Sequence, residues 1–192
     1  MKIYKYKNYK EYVDAQTEAN VRKIKNIWVT ENTIQKIKSI QPNASIILCH
    51  GTRNGAEQKM FDSLYDAEII GTEISHTAVK FENTIQHDFH EELPSYTGRC
   101  DIVYSNSFDH AYDPQKCMQT WVNQLNENGL LFLELIPPNK EKISDPLSIS
   151  DDELIEIVEQ SGAYVIQTHK IAPKSNRNEK YYNMFVIKRR TL

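Results

Sequence analysis

The sequence is poor in cysteine and has no motif that pairs cysteines. Its 192 residues include three, at Cys49, Cys100 and Cys117, an odd number without the CxxC spacing of redox or zinc motifs. Cys49 and Cys100 fall in predicted strands and Cys117 in a predicted helix. We therefore expect three reduced core thiols in a cytoplasmic protein.

The chain also lacks a strong charge of one sign and a long apolar run. A net charge of -3 and a pI of about 6.1 count against a nucleic-acid surface. The lysines near the N-terminus alternate with tyrosines and are interpreted as a solvated helix face. No apolar run approaches the roughly 18 residues of a membrane span, and no signal peptide is evident. We expect no membrane partner.

Several chemical motifs are absent too, including a nucleophile elbow and a phosphate-binding Gly-Lys-Ser/Thr sequence. Metal-ligating residue types do occur close together, but without a dedicated ligand spacing. The two groups are His87, Asp88 and His90, and Asp109, His110 and Asp113. The sequence therefore predicts no metal site.

Apolar strands alternate with amphipathic helices along most of the chain. The predicted strands are 45–50, 68–72, 84–87, 101–105, 130–136, 164–169 and 184–188. The predicted helices are 8–28, 30–40, 57–64, 75–79, 114–125 and 150–161. This alternation predicts an α/β fold, a doubly wound and mainly parallel seven-stranded sheet with helices on both faces. The last two strands lack a helix between them, which predicts a C-terminal antiparallel hairpin joined by a polar, mobile segment at 173–180.

A glycine turn follows the first buried strand. Residues 46–50 lead into Gly51-x-Arg53-x-Gly55 and then into helix-compatible residues. A strand, a tight turn and a helix start together place bare backbone N–H groups beside a nucleotide-like ligand. Taken alone, such a turn is a weak signal.

Acidic residues end the next two strands. Glu73 lies about 20 residues beyond the glycine turn, where a carboxylate accepts both hydroxyl protons of a ribose; the alternative is an exposed strand-end glutamate. After the third strand, His87-Asp88-Phe89 offers an acceptor for an adenine amine and a ring to cover the base. The alternative for Asp88 is a turn cap.

The glycine turn and the two acidic strand ends are followed by the segments Cys100–Pro114 and Asn128–Leu133. In this order the motifs make residues 44–136, roughly, resemble the class I S-adenosylmethionine-dependent methyltransferases. The resemblance implies a Rossmann-like fold with S-adenosyl-L-methionine as cofactor. It also implies a cofactor-binding set from successive strand ends. That set is Cys49, His50, Gly51, Arg53, Gly55, Glu73, Ile74, Asp88, Phe89, Asn106 and Phe108.

The glycine turn departs from the family pattern at two positions. Cys49 stands where the family usually has an acidic residue, and Arg53 replaces the middle glycine. Arg53 either supplies a cation for the methionine carboxylate or forms an ion pair with Glu57. The departures keep open a non-catalytic binding or regulatory subunit with the same fold.

The N-terminal segment is expected to act as a cap. We divide the chain into a helical lid at 1–42 and a Rossmann-like methyltransferase domain at 43–192. Tyr9, Tyr12 and Gln16 lie on one face of the first helix, where they would contact cofactor and substrate. The alternative is an aromatic stripe packed on the core.

The predicted function is methyl transfer from S-adenosylmethionine to a small-molecule acceptor by in-line displacement, in which positioning is the main catalytic task. His110 and Asp109, just after the fourth strand, are the candidate bases, or else they shape the pocket. The Asn/Asp-Pro-Pro-aromatic motif of DNA-adenine and protein-glutamine methyltransferases is missing. An RNA methyltransferase remains an alternative because of the basic N-terminus. An oxidoreductase would leave the strand-four and hairpin features unexplained.

Overall fold

The computed structural model describes residues 1–138, 140–172 and 182–190. The predicted mobile segment 173–180 lies outside these ranges. The strands are β1 (Lys2–Ile3), β2 (Ile46–His50), β3 (Glu68–Glu73), β4 (Thr84–Gln86), β5 (Cys100–Ser105), β6 (Leu125–Leu135), β7 (Leu147–Ser148), β8 (Ala163–Ile171) and β9 (Tyr182–Arg189). The helices are α1 (Tyr9–Arg22), α2 (Glu31–Ile40), α3 (Ala56–Asp62), α4 (Pro114–Gln124) and α5 (Asp151–Gln160).

Seven strands form one mixed sheet in the order β4-β3-β2-β5-β6-β9-β8. The pairs from β4 to β6 are parallel, whereas β9 is antiparallel to both β6 and β8. This confirms the predicted fold class and its C-terminal hairpin. The sheet order reverses between β2 and β5, so their carboxyl ends open the crevice in which α/β sheets bind ligands.

Each face of the sheet carries its own hydrophobic cluster. Along β2, Leu48 points into the cluster that contains α4 and α5, whereas Ile47 and Cys49 point into the cluster that contains α2 and α3. A central strand buried on both faces is a continuous apolar run for this reason. All three cysteines are buried and free. None of the helices in the described ranges is long and apolar enough to cross a membrane.

The short helix predicted after Ser75 is present as a 3-10 helix over His76–Lys80, with Ser75 as its N-cap. Two other local predictions were wrong. The first helix ends at Arg22 rather than at residue 28. Strand β6 begins at Leu125, directly after α4, rather than at residue 130. Gly129 is needed within this strand because a Cβ there would collide with the carbonyl oxygen of Cys100.

A second, two-stranded sheet was not predicted. Strand β1 pairs antiparallel with β7, joining Lys2 to Ser148 and Ile3 to Leu147. Strands of two residues have no measurable periodicity, so the sequence pattern could not reveal them. The pairing ties the N-terminus to the segment that follows β6, which sets the start of α1 near the carboxyl edge of the main sheet.

Trp121 of α4 fixes the loop that follows β4. Its indole Nε1 donates to the carbonyl oxygen of Phe89 at 3.0 Å. Its ring stacks on His50, with centroids 5.0 Å apart and planes 9° from parallel. One fully buried side chain therefore joins the ends of β2 and β4.

We expect Trp121→Phe to lower the free energy of unfolding by about 2–3 kcal/mol, because it leaves the buried Phe89 carbonyl without its donor and reduces packing. Urea denaturation followed by circular dichroism measures the change. Tyr164→Phe, which alters a side chain 39% exposed on β8, is the control and should stay within about 0.5 kcal/mol. An equal loss in both variants would contradict the role of Trp121.

Candidate functional site

The glycine turn brings the ends of β2, β3 and β5 together. Gly51, Arg53 and Gly55 have φ values of 72°, 47° and 73°, which glycine tolerates and arginine rarely adopts. The N–H of Gly51 donates to the Thr72 carbonyl oxygen at 2.9 Å. A Cβ at Gly51 would lie 2.7 Å from the Cβ of Ser107. The turn after β2 therefore requires glycine where it meets the loop after β5.

Glu73 closes this arrangement from the end of β3. Its Oε2 accepts from the backbone N–H of Arg53 at 3.1 Å, and its Oε1 accepts from that of Ser75 at 2.9 Å. The side chain lies at the bottom of the crevice, with the residue only 7% exposed. Each carboxylate oxygen has a second lone pair, so Glu73 can still accept hydrogen bonds from a ligand.

Asp88 lies after β4 and is already bonded on both oxygens. Its Oδ1 accepts from the N–H and from Nδ1 of His90 at 3.0 and 2.6 Å, and its Oδ2 accepts from the Tyr9 hydroxyl at 2.9 Å. Burial opposes ionisation, but the bonds from His90 outweigh it and lower the pKa of Asp88. An ionised carboxylate thus faces the crevice, with Tyr9 of α1 as its partner.

A first cavity lies between α1 and these strand ends. Its volume is about 40 Å³, well below the roughly 300–1,000 Å³ of a typical ligand pocket. Its lining is Tyr12, Gln16, Ala19, Asn20, Gly51, Arg53, Glu73, Ile74, Asp88, Phe89, Ser107 and His110.

Helix α1 forms the roof of this cavity and is held down by polar contacts. In addition to the Tyr9–Asp88 bond, the Thr77 hydroxyl donates to Asn20 Oδ1 at 2.9 Å, and His110 Nδ1 lies 2.8 Å from Gln16 Oε1. A nucleoside does not fit unless α1 moves outward.

One polar atom of Asn20 makes no hydrogen bond among the described residues. Its Nδ2 is buried and makes no hydrogen bond within 3.5 Å among the described residues, and the residue is 5% exposed. A buried donor without a partner costs about 1–3 kcal/mol. Asn20 lines the first cavity, so an acceptor atom of a ligand bound against this residue would satisfy the donor.

A second cavity of about 100 Å³ adjoins the first. Arg53, Ser107 and His110 line both cavities. The remaining lining is Lys23, Trp28, Asn106, Asp109, Glu134, Ile136, Asp145 and Tyr182. No carboxylate in the described ranges lies within 4.0 Å of the Arg53 guanidinium, so the ion pair with Glu57 is not formed. Arg53 is thus a cation at the junction of the two cavities.

Two buried acids lie behind this junction. Burial raises the pKa of Glu57 from its usual 4.5 to about 7. Burial likewise raises the pKa of Glu134, whose Oε1 accepts from the Tyr104 hydroxyl at 2.9 Å. Glu134 reaches the second cavity, while Glu57 belongs to the first turn of α3 behind the glycine turn.

The structure places four of the predicted cofactor residues away from both cavity linings. Cys49 is in the cluster with α2 and α3, and Phe108 packs against Trp121 in the other cluster. His50 lies 2.8 Å from both Thr72 Oγ1 and Gln124 Oε1, and burial lowers its pKa to about 3. Gly55 faces a groove on the outer side of α3.

Several cavity residues were missed by sequence reasoning. Asn20 lines the first cavity and, like Lys23, Glu134 and Asp145 in the second, carried no motif. Ser107 lies within the predicted segment Asn106–Phe108, although it was not named as a cofactor residue. The others lie on or next to α1, in β6 or in the segment that follows it. Local sequence spacing does not predict how these elements fold over the site.

The sheet order and the strand-end crevice define a Rossmann-like α/β fold. Residues 48–133 match the family described as a methyltransferase domain. The match runs from β2 to β6 and indicates, for this part of the chain, a methyltransferase domain that uses S-adenosylmethionine as the methyl donor. No curated protein matches the chain.

Solved structures with this fold have low sequence identity to the chain. One is 1,6-didemethyltoxoflavin-N1-methyltransferase of Burkholderia thailandensis, with bound 1,6-didemethyltoxoflavin and S-adenosylhomocysteine (TM-score 0.75, 12% identity, 97% of this chain and 93% of that one). Magnesium protoporphyrin IX methyltransferase of Synechocystis, with its bound cofactor, has a TM-score of 0.65 at 10% identity over 97% and 100%. The [4+2]-cyclase SpnF has a TM-score of 0.73 at 8% identity over 93% and 94%.

Because Tyr9 occupies Asp88 and holds α1 down, Tyr9→Phe should speed the association of S-adenosylhomocysteine about fivefold, as expected when about 1 kcal/mol of a competing bond is removed. Stopped-flow fluorescence measures the rate. Tyr4→Phe, which removes a hydroxyl from the same segment outside the cavity lining, should leave it unchanged. Slower or unchanged association in Tyr9→Phe would show that the bond does not restrict entry.

Glu57 should make stability depend on pH. Because its pKa is raised in the folded state, the unfolded chain loses this proton first as pH rises, and the free energy of unfolding falls between about pH 4.5 and 7. Glu57→Gln removes this decline, so it should be more stable than the parent by about 2–3 kcal/mol at pH 8 and nearly equal to it at pH 4.5. Denaturant melts across this range measure the difference. Glu127→Gln, an exposed acid, should show no such crossover.

Proposed function

We propose that the chain transfers a methyl group from S-adenosylmethionine to a small-molecule acceptor held in the second cavity. The observation that supports this most is the shared wall of the two cavities. Arg53, Ser107 and His110 line both, so a donor in one cavity and an acceptor in the other would meet at these residues. Methyl transfer needs this end-to-end alignment more than it needs a reactive side chain.

The strand-end residues are assigned to the cofactor as follows. Glu73 accepts from the two ribose hydroxyls with its remaining lone pairs, and Asp88 accepts from the adenine amine once Tyr9 has moved. Phe89 covers the base. Arg53 and the unpartnered Asn20 amide bind the methionine carboxylate, since both are donors that line the first cavity. The orphaned Asn20 donor and the glycine-dependent cradle at Gly51 fit a ligand of this kind.

S-Adenosylmethionine supplies an activated methyl group on a sulfonium, so the protein mainly aligns the acceptor and excludes water. Where the acceptor arrives protonated, His110 is placed to take the proton, because Gln16 engages Nδ1 and leaves Nε2 toward the second cavity. Asp109 Oδ1, 3.8 Å from Nε2, would stabilise the resulting imidazolium.

The size of the second cavity, about 100 Å³, supports a small acceptor over a macromolecule. Two proteins that share the fold, 1,6-didemethyltoxoflavin-N1-methyltransferase and magnesium protoporphyrin IX methyltransferase, are named for acceptors that are not macromolecules, which agrees with this choice. The lid at 1–42 remains a proposal: α1 supplies the contacts over the crevice, whereas α2 packs in a core cluster. The narrow first cavity and the buried Cys49 keep a non-catalytic binding subunit as the second candidate.

The cofactor assignment is tested by calorimetric titration with S-adenosylhomocysteine. We expect Glu73→Ala to weaken binding by at least about tenfold, because it removes two charge-assisted hydrogen bonds. Glu68→Ala removes the same side chain at the opposite end of β3 and should bind like the parent. Equal affinity in the two variants, or no heat from the parent, would overturn the assignment.

The acceptor class is tested with methyl-labelled S-adenosylmethionine and fractionated cell extract. Label in the low-molecular-mass fraction, lost in Ser107→Phe because the larger side chain blocks the junction of the cavities, is the expected result. Label in RNA would favour the nucleic-acid alternative. Binding of the cofactor without transfer to any fraction would favour the non-catalytic subunit.

A further inference from the structure

Three metal-ligating side chains meet in the second cavity. Asp109 and His110 follow β5, and Asp145 comes from the segment between β6 and β7. One ligand atom from each lies within 4.8 Å of the other two. All three line the same cavity. Loops from two neighbouring strand ends therefore supply two carboxylates and one imidazole, a donor set typical of divalent metal sites.

The orientation of His110 is fixed by a residue outside this cluster. Gln16 Nε2 lies 3.3 Å from the Ser144 carbonyl oxygen, to which it must donate, so Gln16 Oε1 faces His110 Nδ1 at 2.8 Å. An amide oxygen only accepts, which places the His110 proton on Nδ1. The lone pair is then on Nε2, directed at the carboxylates. Metal-binding histidines typically have this second partner on their other nitrogen.

Asp109, His110 and Asp145 present acceptor atoms to one another, so they do not hydrogen-bond among themselves. His110 Nε2 and Asp109 Oδ1 are 3.8 Å apart, and in this tautomer neither atom has a proton to share. The Lys142 ammonium binds Asp145 Oδ2 at 2.6 Å, but its side chain is 55% exposed, and Oδ1 remains for a ligand. Lys23 and Arg53 also line the cavity, and neither forms an ion pair with the cluster within 4.0 Å in the described ranges.

Asn106 also lines this cavity, and its Nδ2 makes no hydrogen bond within 3.5 Å among the described residues. Burial raises the pKa of Glu57, and the Asn106 amide lies close enough to that carboxyl to oppose the rise. An occupant of the cavity is therefore indicated by the three ligand atoms and by the orientation of His110.

We propose that Asp109, His110 and Asp145 bind one divalent transition-metal ion in the second cavity, with open positions for oxygen ligands. The two carboxylates balance the charge of the ion, and the imidazole favours Mn²⁺ or Zn²⁺ over Mg²⁺ and Ca²⁺. The further role, binding an acceptor hydroxyl through the ion, rests on the proposed function. In that role His110 would hold the ion through Nε2 instead of acting as the base, and the ion would lower the pKa of a bound acceptor hydroxyl, whose proton would pass to solvent water.

The sequence predicted no metal site here because Asp109, His110 and Asp113 have no dedicated ligand spacing. Asp113 instead caps α4, accepting from the N–H of Lys116 at 3.0 Å. The third ligand, Asp145, comes from a different loop and forms no spacing motif with the others.

Electron paramagnetic resonance of Mn²⁺ tests the site on the full chain, treated first with a chelator and studied without cofactor. We expect one Mn²⁺ per chain, displaced by Zn²⁺ but not by equal Mg²⁺. Asp145→Asn and His110→Gln should each weaken binding by at least about tenfold. Asp66→Asn, an exposed acid remote from the cavity, is the control. Thermal melts check that the variants fold.

No stoichiometric Mn²⁺ binding, or binding that both cluster variants leave unchanged, would overturn the proposal. Binding lost only in the cluster variants would support it. Because this titration contains no cofactor, its result is separate from the calorimetric test with S-adenosylhomocysteine. Either proposal can therefore fail without the other.

Discussion

The close approach of the turn after β2 to the loop after β5 is the constraint on which the site depends. Gly51 meets Ser107 with no room for a Cβ, and Glu73 holds the Arg53 N–H from the third side. Parallel strands place their carboxyl ends at one edge, and the sheet order reverses between β2 and β5, so the loops diverge around a crevice. Because Gly51 has no Cβ, the turn after β2 and the loop after β5 can approach each other closely at the floor of the crevice. The floor is thereby preorganised by backbone contacts before any ligand arrives.

The roof of the crevice is of a different kind. Helix α1 is amphipathic only weakly, and it reaches the strand ends through individual polar bonds to Asp88, Thr77 and His110. Such bonds contribute little net stability each, and they connect to groups that a cofactor would also use. One side chain of α1 is an exception, because Tyr12 is buried and its ring packs edge-on against Tyr112 and His90. The roof is thus held by several polar bonds and one aromatic contact.

Arg53 and the buried acids show how charge is distributed around the junction of the cavities. A glycine at position 53 would relieve the backbone strain of φ 47°, so the arginine is tolerated at a cost. Burial lowers the pKa of the Arg53 guanidinium, and the negative charges of Glu73 and Asp109 oppose this effect. Glu57 and Glu134 lie deeper, and burial raises the pKa of both, although Arg53 opposes the rise for Glu57 and the Tyr104 hydroxyl opposes it for Glu134.

Local sequence patterns were enough to predict the strands and helices, their order along the chain and the strand-end motifs, because burial on both faces and tight turns leave a mark on neighbouring residues. Gly51, Glu73 and Asp88 were found in this way, and the structure brings them to one cavity. The tertiary structure alone decided that Cys49 and His50 turn away from the cavity, since the strand alternates its side chains between two faces of equal apolarity. It alone also decided that Asn20 and Asp145 turn toward the site. Their positions depend on how α1 and the segment after β6 fold back over the sheet, and the contacts that fix this join residues far apart in the chain.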